Sequence, residues 1–231
     1  MSFLAFQNRK WPASGGGGGG SIVHIGSAYM STGNTNITMD SGTATTGTAI
    51  PATLSAGKYA IFVGVQSAAP TTATVGGVSL GTAVATIIDN PESVVYYEVT
   101  LASTTTASFV FTFATAQQPG IAIYKIDNLT RTGYLAYNRQ VGTTAFPFGT
   151  DGTNNLTTLA NDKVIATFVT TGSTATSYVN LTETVPVATI GGPRKFGSAY
   201  TNTAPAGTPA TFSTTLNAAF QWTGVIIVGY R

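Results

Sequence analysis

The sequence predicts an all-β protein, an antiparallel β-sandwich with an internal pseudo-repeat and an extended N-terminal arm, and three observations carry that prediction. Thr, Gly, Ala and Val dominate, whereas Lys, Glu and Leu, the builders of amphipathic helices, are scarce. Runs rich in Val, Ile, Thr, Tyr and Phe are broken about every 8 to 14 residues by Gly, Pro, Asn or Asp clusters, the spacing of a sandwich or barrel. A pattern of turn, strand, hairpin and final apolar strand recurs about 104 positions further on.

The apolar set makes up 43% of the 231 residues and charged residues only 8%, with a formal net charge of +2. Disordered chains pair low hydrophobicity with high net charge, so this chain is expected to fold around a real core. No run approaches the roughly 20 apolar residues of a spanning helix, so no membrane partner is expected.

The arm comes first. Residues 1–14 include Phe3, Leu4, Phe6 and Trp11, and six glycines, Gly15 to Gly20, tie them to the rest as a flexible tether. Its bland reading is a disordered tail; its functional reading is an assembly anchor of residues 1–20 that docks on a neighbouring subunit. Each of the four apolar side chains would contribute about 1.5 to 3 kcal/mol if fully buried. Ordering six glycines costs about 1 to 2 kcal/mol each. The terms nearly cancel, so an anchor of this kind needs avidity from several copies; a homo-oligomer is expected, a trimer first.

From Ser21 the predicted strands run in order. The first half holds Ile22–Tyr29, Thr35–Met39, Tyr59–Gln66, Val84–Ile88, Val94–Leu101, Ser108–Phe113, Ile121–Ile126 and Tyr134–Val141. The second holds Lys163–Thr170, Thr176–Leu181, Val185–Ile190, Ser198–Asn202, Ala210–Thr215 and Gln221–Tyr230. Successive side chains on a strand point to opposite faces, so Val95, Tyr97, Val99 and Leu101 form a core face, while Tyr96 and Glu98 lie on the other, expected to be a solvated outer face. Phe109, Phe111 and Phe113 share one face. Val225 to Val228 are apolar on both faces, which predicts a central strand or an oligomer contact.

The repeat aligns Leu54–Ile61 with Thr158–Ile165, Thr74–Val78 with Tyr178–Thr182, and Gly120–Tyr124 with Gly224–Val228. Its halves cover about residues 50–126 and 154–230. Because Tyr134–Val141 is itself strand-like, no linker separates them, and residues 21–231 read as one domain in preference to two tandem sandwiches.

Little in the chain points to catalysis. There is no cysteine, hence no disulfide, thiolate site or thiol nucleophile. The single histidine, His24, sits between Val23 and Ile25 and reads as structural; no G-x-S-x-G elbow accompanies it. Most of the eight acids stand in turn contexts, such as Asp89-Asn90-Pro91 and Asp151-Gly152, where they cap the turn. Glu98 is the acid well inside a strand. With Tyr96 it is the candidate for a sugar-contacting surface patch, and also the best acid for a glycosidase, which needs two carboxylates. Asp151 to Asn155 offer too few oxygens for calcium, and the glycine run precedes no helix, so it is no phosphate loop. Arg9 and Lys10, with scattered Arg131, Arg139, Arg194, Lys195 and Arg231, give a weak basis for nucleic-acid binding. No enzyme activity, catalytic residue, metal or cofactor is expected.

At Val75-Gly76-Gly77-Val78, Phe109 to Phe113, Gly120 to Ile126 and Asn128-Leu129 the chain resembles a diffuse family, the jelly-roll-like β-sandwich proteins encoded among the structural genes of tailed phages and prophages. The resemblance covers about residues 50–231 and brings no catalytic residues. It implies a structural virion protein, a capsid decoration, head-fibre or tail-associated subunit whose partners are other virion proteins. The composition agrees: a Thr/Gly-rich, charge-poor surface suits an exterior protein, yet Met1 to Lys10 place apolar residues before the basic pair, the reverse of a secretory signal. Synthesis in the host cytoplasm followed by assembly into a virion meets both conditions. The alternative expectation is a carbohydrate-binding receptor-recognition module that touches host polysaccharide.

Overall fold

The computed structural model describes residues 19–45, 47–89, 92–140, 145–172, 175–190, 193–208, 211–217 and 222–231. Among these there are nineteen strands and no helix. The first half comprises β1 (Val23–Tyr29), β2 (Asn34–Met39), β3 (Thr53–Leu54), β4 (Gly57–Val65), β5 (Thr72–Val75), β6 (Val78–Ser79), β7 (Ala85–Asp89), β8 (Glu92–Leu101), β9 (Thr105–Thr106), β10 (Phe109–Gln117) and β11 (Gly120–Lys125). The second comprises β12 (Arg131–Gln140), β13 (Ala145–Pro147), β14 (Lys163–Thr171), β15 (Ala175–Val179), β16 (Thr182–Thr189), β17 (Arg194–Thr201), β18 (Ser213–Leu216) and β19 (Trp222–Tyr230).

Every pairing is antiparallel. The first half builds an inner sheet, β1-β11-β4-β8-β7, and an outer sheet, β2-β10-β5-β6; the second builds an inner sheet, β12-β19-β14-β17-β16, and an outer sheet, β13-β18-β15. Strands β3 and β9 form a separate two-stranded ribbon. The repeat seen in the sequence is thus a repeat of topology: each strand of the second half takes the place in its sheet that its counterpart takes in the first. In the outer sheets Val75 pairs with Phe109 and Val179 with Ser213, each member displaced by the same interval but with the faces exchanged, since Val75 is buried and Val179 exposed; in the inner sheets the register slips by one residue, Gly120 facing Gly64 but Gly224 facing Val169.

Three cores separate the four layers. Ile61, Val63, Val95, Tyr97, Phe109, Phe111 and Phe113 belong to the core between the first inner and outer sheets, as the alternation of β8 and β10 predicts. Phe146, Phe168, Phe212, Val225 and Ile227 belong to its counterpart in the second half. The third core lies between the two inner sheets and joins Phe62, Val94, Tyr96, Ala122 and Tyr124 to Ile165, Phe196, Ile226, Val228 and Tyr230. Two two-layer sandwiches therefore stand back to back across a shared seam. Strand β19 lies between β12 and β14, with Val225 to Val228 fully buried, the central strand its two-sided apolar run predicts.

The seam closes tightly because two glycines pair across strands at its floor. Gly64 faces Gly120 in the β4–β11 ladder, and the Phe196 ring of the other half lies over both. A Cβ on Gly64 would fall 2.3 Å from that ring, and one on Gly120 2.6 Å from it. The missing side chains make the notch into which the ring packs.

Candidate functional site: the root of the arm and the seam between the halves

The anchor residues Phe3, Leu4, Phe6 and Trp11, with glycines 15–18, lie outside the described residues. The residues that follow Gly19 are held fast. Gly20 passes close to the Asp127–Leu129 turn: a Cβ there would meet the Asp127 carbonyl oxygen at 2.7 Å and Leu129 Cδ2 at 2.8 Å. Ile22 is buried in the seam. Its backbone is gripped from the second half, since Ile22 N–H donates to Asn202 Oδ1 at 2.7 Å and Asn202 Nδ2 donates back to Ile22 O at 3.0 Å. The place where the arm leaves the body is thus fixed by both halves together.

The expectation of a solvated face for Tyr96 and Glu98 is corrected by the structure. Tyr96 has no exposed surface, because the face it shares with Glu98 is covered by the second inner sheet. A fully buried phenol is no part of a surface sugar patch. Its hydroxyl instead donates to Glu98 Oε1 and lies 2.5 Å from the Tyr230 hydroxyl across the seam. Lys58 Nζ stands 3.1 Å from Glu98 Oε2, and Arg131 Nη1 stands 3.2 Å from Glu98 Oε1. Burial pushes both phenols well above their ordinary pKa, and the neighbouring Glu98 charge adds to it. Both rings stay neutral donors at any physiological pH, so the cluster is a lock between halves. Tyr230 and Lys58 were not singled out from the sequence, and Arg131 only as one of several scattered bases; the two-sided apolar run of β19 was the available signal that its neighbours face cover on both sides.

A second polar group crosses the seam. The Tyr124 hydroxyl donates to Ser198 Oγ at 2.6 Å and lies 2.7 Å from Thr184 Oγ1, and Thr167 Oγ1 lies 2.7 Å from Ser198 Oγ. His24 packs beside it, its ring centroid 5.2 Å from that of Tyr124 and its Nε2 buried without a hydrogen bond. Burial lowers its pKa to about 4, so it is a neutral ring in a wall of the seam.

The remaining sequence candidates are occupied structurally. Asp151 Oδ1 accepts from the amides of Thr153 (2.7 Å) and Asn154 (2.5 Å), and Oδ2 from Asn154 Nδ2 (2.8 Å), a turn cap. Asp40 caps its turn through the Gly42 amide at 2.9 Å. Asp162 is buried and accepts from both Arg231 Nε and Nη2 at 2.8 Å, which ties Arg231 to the body. Among the described residues no three His, Asp or Glu side chains gather as a metal-binding group, and no helix is long and apolar enough to cross a membrane. Comparison of the chain with known protein families, with curated proteins and with solved structures gives no match.

Proposed function

We propose that the chain is a structural subunit of a virus particle of the tailed-phage kind, attached by its N-terminal arm to a capsid, tail or neighbouring copy. The observation that carries this reading is the fixed root of the arm, where Ile22 is buried in the seam and held by Asn202 of the other half. Such a grip would hold the body to whatever the residues before it bind.

The topology supports the jelly-roll-like part of the reading. Leaving β7 and the β3–β9 ribbon aside, the first half has eight strands in which the first, eighth, third and sixth face the second, seventh, fourth and fifth, and two-sheet jelly rolls recur in capsid and lectin domains. That analogy concerns the fold alone; the attachment argument rests on the arm.

Deleting residues 1–18 tests the reading. The truncated chain should fold with an unchanged melting temperature and fail to co-purify with particles from a lysate, while the full chain does so. Normal incorporation of the truncated chain would refute the attachment role. Sedimentation of the free full-length chain gives the copy number, for which three is expected.

A further inference from the structure

Where the two sheets of the first half part at their open edge, between β5–β6 and β7–β8, they leave a groove of about 560 Å³, within the ~300–1,000 Å³ range of small-molecule sites. Its floor is the inner sheet, with Thr86, Val95 and Tyr97 side by side, and the outer sheet bounds it along Thr72 to Thr74, where Ala73 is the side chain turned inward. None of its lining residues carries a charge.

Tyr97 is the telling side chain. It is only 4% exposed, yet no described group hydrogen-bonds its hydroxyl, and burial pushes its pKa up to about 12. The ring is buried but the hydroxyl is open at the groove, where it is a donor and acceptor for whatever enters. Thr82 and Thr86, which also line the groove, likewise give their hydroxyls to no described group.

The second half shows that the opening is not a requirement of the fold. The core-facing place that Ala73 takes in β5, paired with buried Phe111, is taken in β15 by Tyr178, paired with buried Thr214; its ring packs 6.4 Å from Phe168 and its hydroxyl reaches Glu183 Oε1 at 3.3 Å. Leu181 and Val187 pack against the same core. One twin corner is filled by aromatic and aliphatic side chains; the other is hollow and lined by hydroxyls.

We propose that this groove binds a short stretch of an uncharged carbohydrate chain. An ionic ligand would give up its hydration with no counter-charge in reach. A wholly apolar one would leave Tyr97 and the threonines without partners. Hydroxyls both donate and accept, which matches the hydroxyls of a neutral sugar, while Ala73, Ala83, Pro70 and Val95 offer apolar contact to its C–H faces. The site is independent of the arm, so either reading stands if the other falls.

The full-length chain on an array of neutral and charged oligosaccharides, followed by titration calorimetry with the best ligand, tests the proposal. A neutral oligosaccharide should bind. Ala73→Tyr, which copies the plug of the second half, should weaken binding at least 10-fold, and Tyr97→Phe about 3- to 10-fold. Melting curves verify that each variant is folded, and Thr86→Val, nearly equal in shape, serves if Ala73→Tyr is not, with a several-fold loss expected. Absence of binding to any neutral sugar at millimolar concentration, binding confined to charged sugars, or binding that folded groove variants leave unchanged would overturn the assignment.

Discussion

Changing Tyr230 to Phe takes one hydroxyl out of the seam and leaves Tyr96 donating to Glu98. The loss is one neutral hydrogen bond, about 1 kcal/mol. Changing Tyr96 to Phe is costlier: the bond to a carboxylate goes, and the Tyr230 hydroxyl, with no exposed surface, loses its partner. A charged bond is worth about 1.5 to 3 kcal/mol and an orphaned buried hydroxyl about 1 to 3 kcal/mol. Tyr230 sits near enough to Glu98 to feel its charge, and turning toward it recovers part of the second cost, so about 2 to 4 kcal/mol is expected. In the double variant there is no orphan, and two rings of unchanged shape meet. Its cost should fall short of the sum of the single costs by about 1 to 2 kcal/mol, in the range of coupling between touching residues. Urea unfolding of the four proteins, followed by circular dichroism with a common slope, measures it. Additivity within about 0.5 kcal/mol would show that the hydroxyls do not act as one unit across the seam.

Further outcomes are expected. Gly64→Ala puts a methyl 2.3 Å from Phe196 and should cost about 1 to 3 kcal/mol by overpacking, while Gly19→Ala, with nothing within 4 Å, should change stability by less than about 0.5 kcal/mol in the same thermal melts. His24 is held by burial at a pKa of about 4, below the ~6.5 of a free imidazole, so the unfolded chain takes up the proton first: stability should be unaffected above about pH 6.5, fall between there and pH 4, and level off below. His24→Gln should remove that slope from urea midpoints measured against pH. Burial raises the Asp127 and Asp151 pKa values, but hydrogen bonds outweigh it and hold them below 3.8, so their contribution is lost only at lower pH. Asn202→Ala removes both bonds to the Ile22 backbone; hydrogen exchange over residues 19–29 should rise at Ile22 while the central strands stay protected, and unchanged exchange there would contradict the grip.

Much of the fold is written locally. The β8 and β10 alternations name the first core correctly, and the apolar β19 names itself a central strand. What the sequence conceals is set at long range. Tyr96 and Glu98 have the pattern of an outer face, and only the packing of residues more than a hundred positions away turns that face inward. The same two-sided test applied to Ile121-Ala122-Ile123-Tyr124 would have exposed the seam, since β11 and β19 are repeat counterparts. Strand β17 begins at Arg194, earlier than the expected Ser198, because Gly-Gly-Pro-Arg-Lys reads as a turn. The strands β3, β9 and β13, two or three residues each, are too short to carry a period at all. The groove was invisible for a related reason: a hollow is made of what neighbours fail to fill, and threonine on a strand looks alike whether it faces bulk water or a cleft.

The position of β1 gives the root of the arm a mechanical meaning. That strand is at the margin of its sheet, paired with β11 alone, beginning at Val23 opposite Lys125. A pull applied at Gly19 would load its backbone bonds one after another, as a zipper opens. Asn202 and the buried Ile22 stand in front of the first tooth, two residues 180 positions apart in the chain.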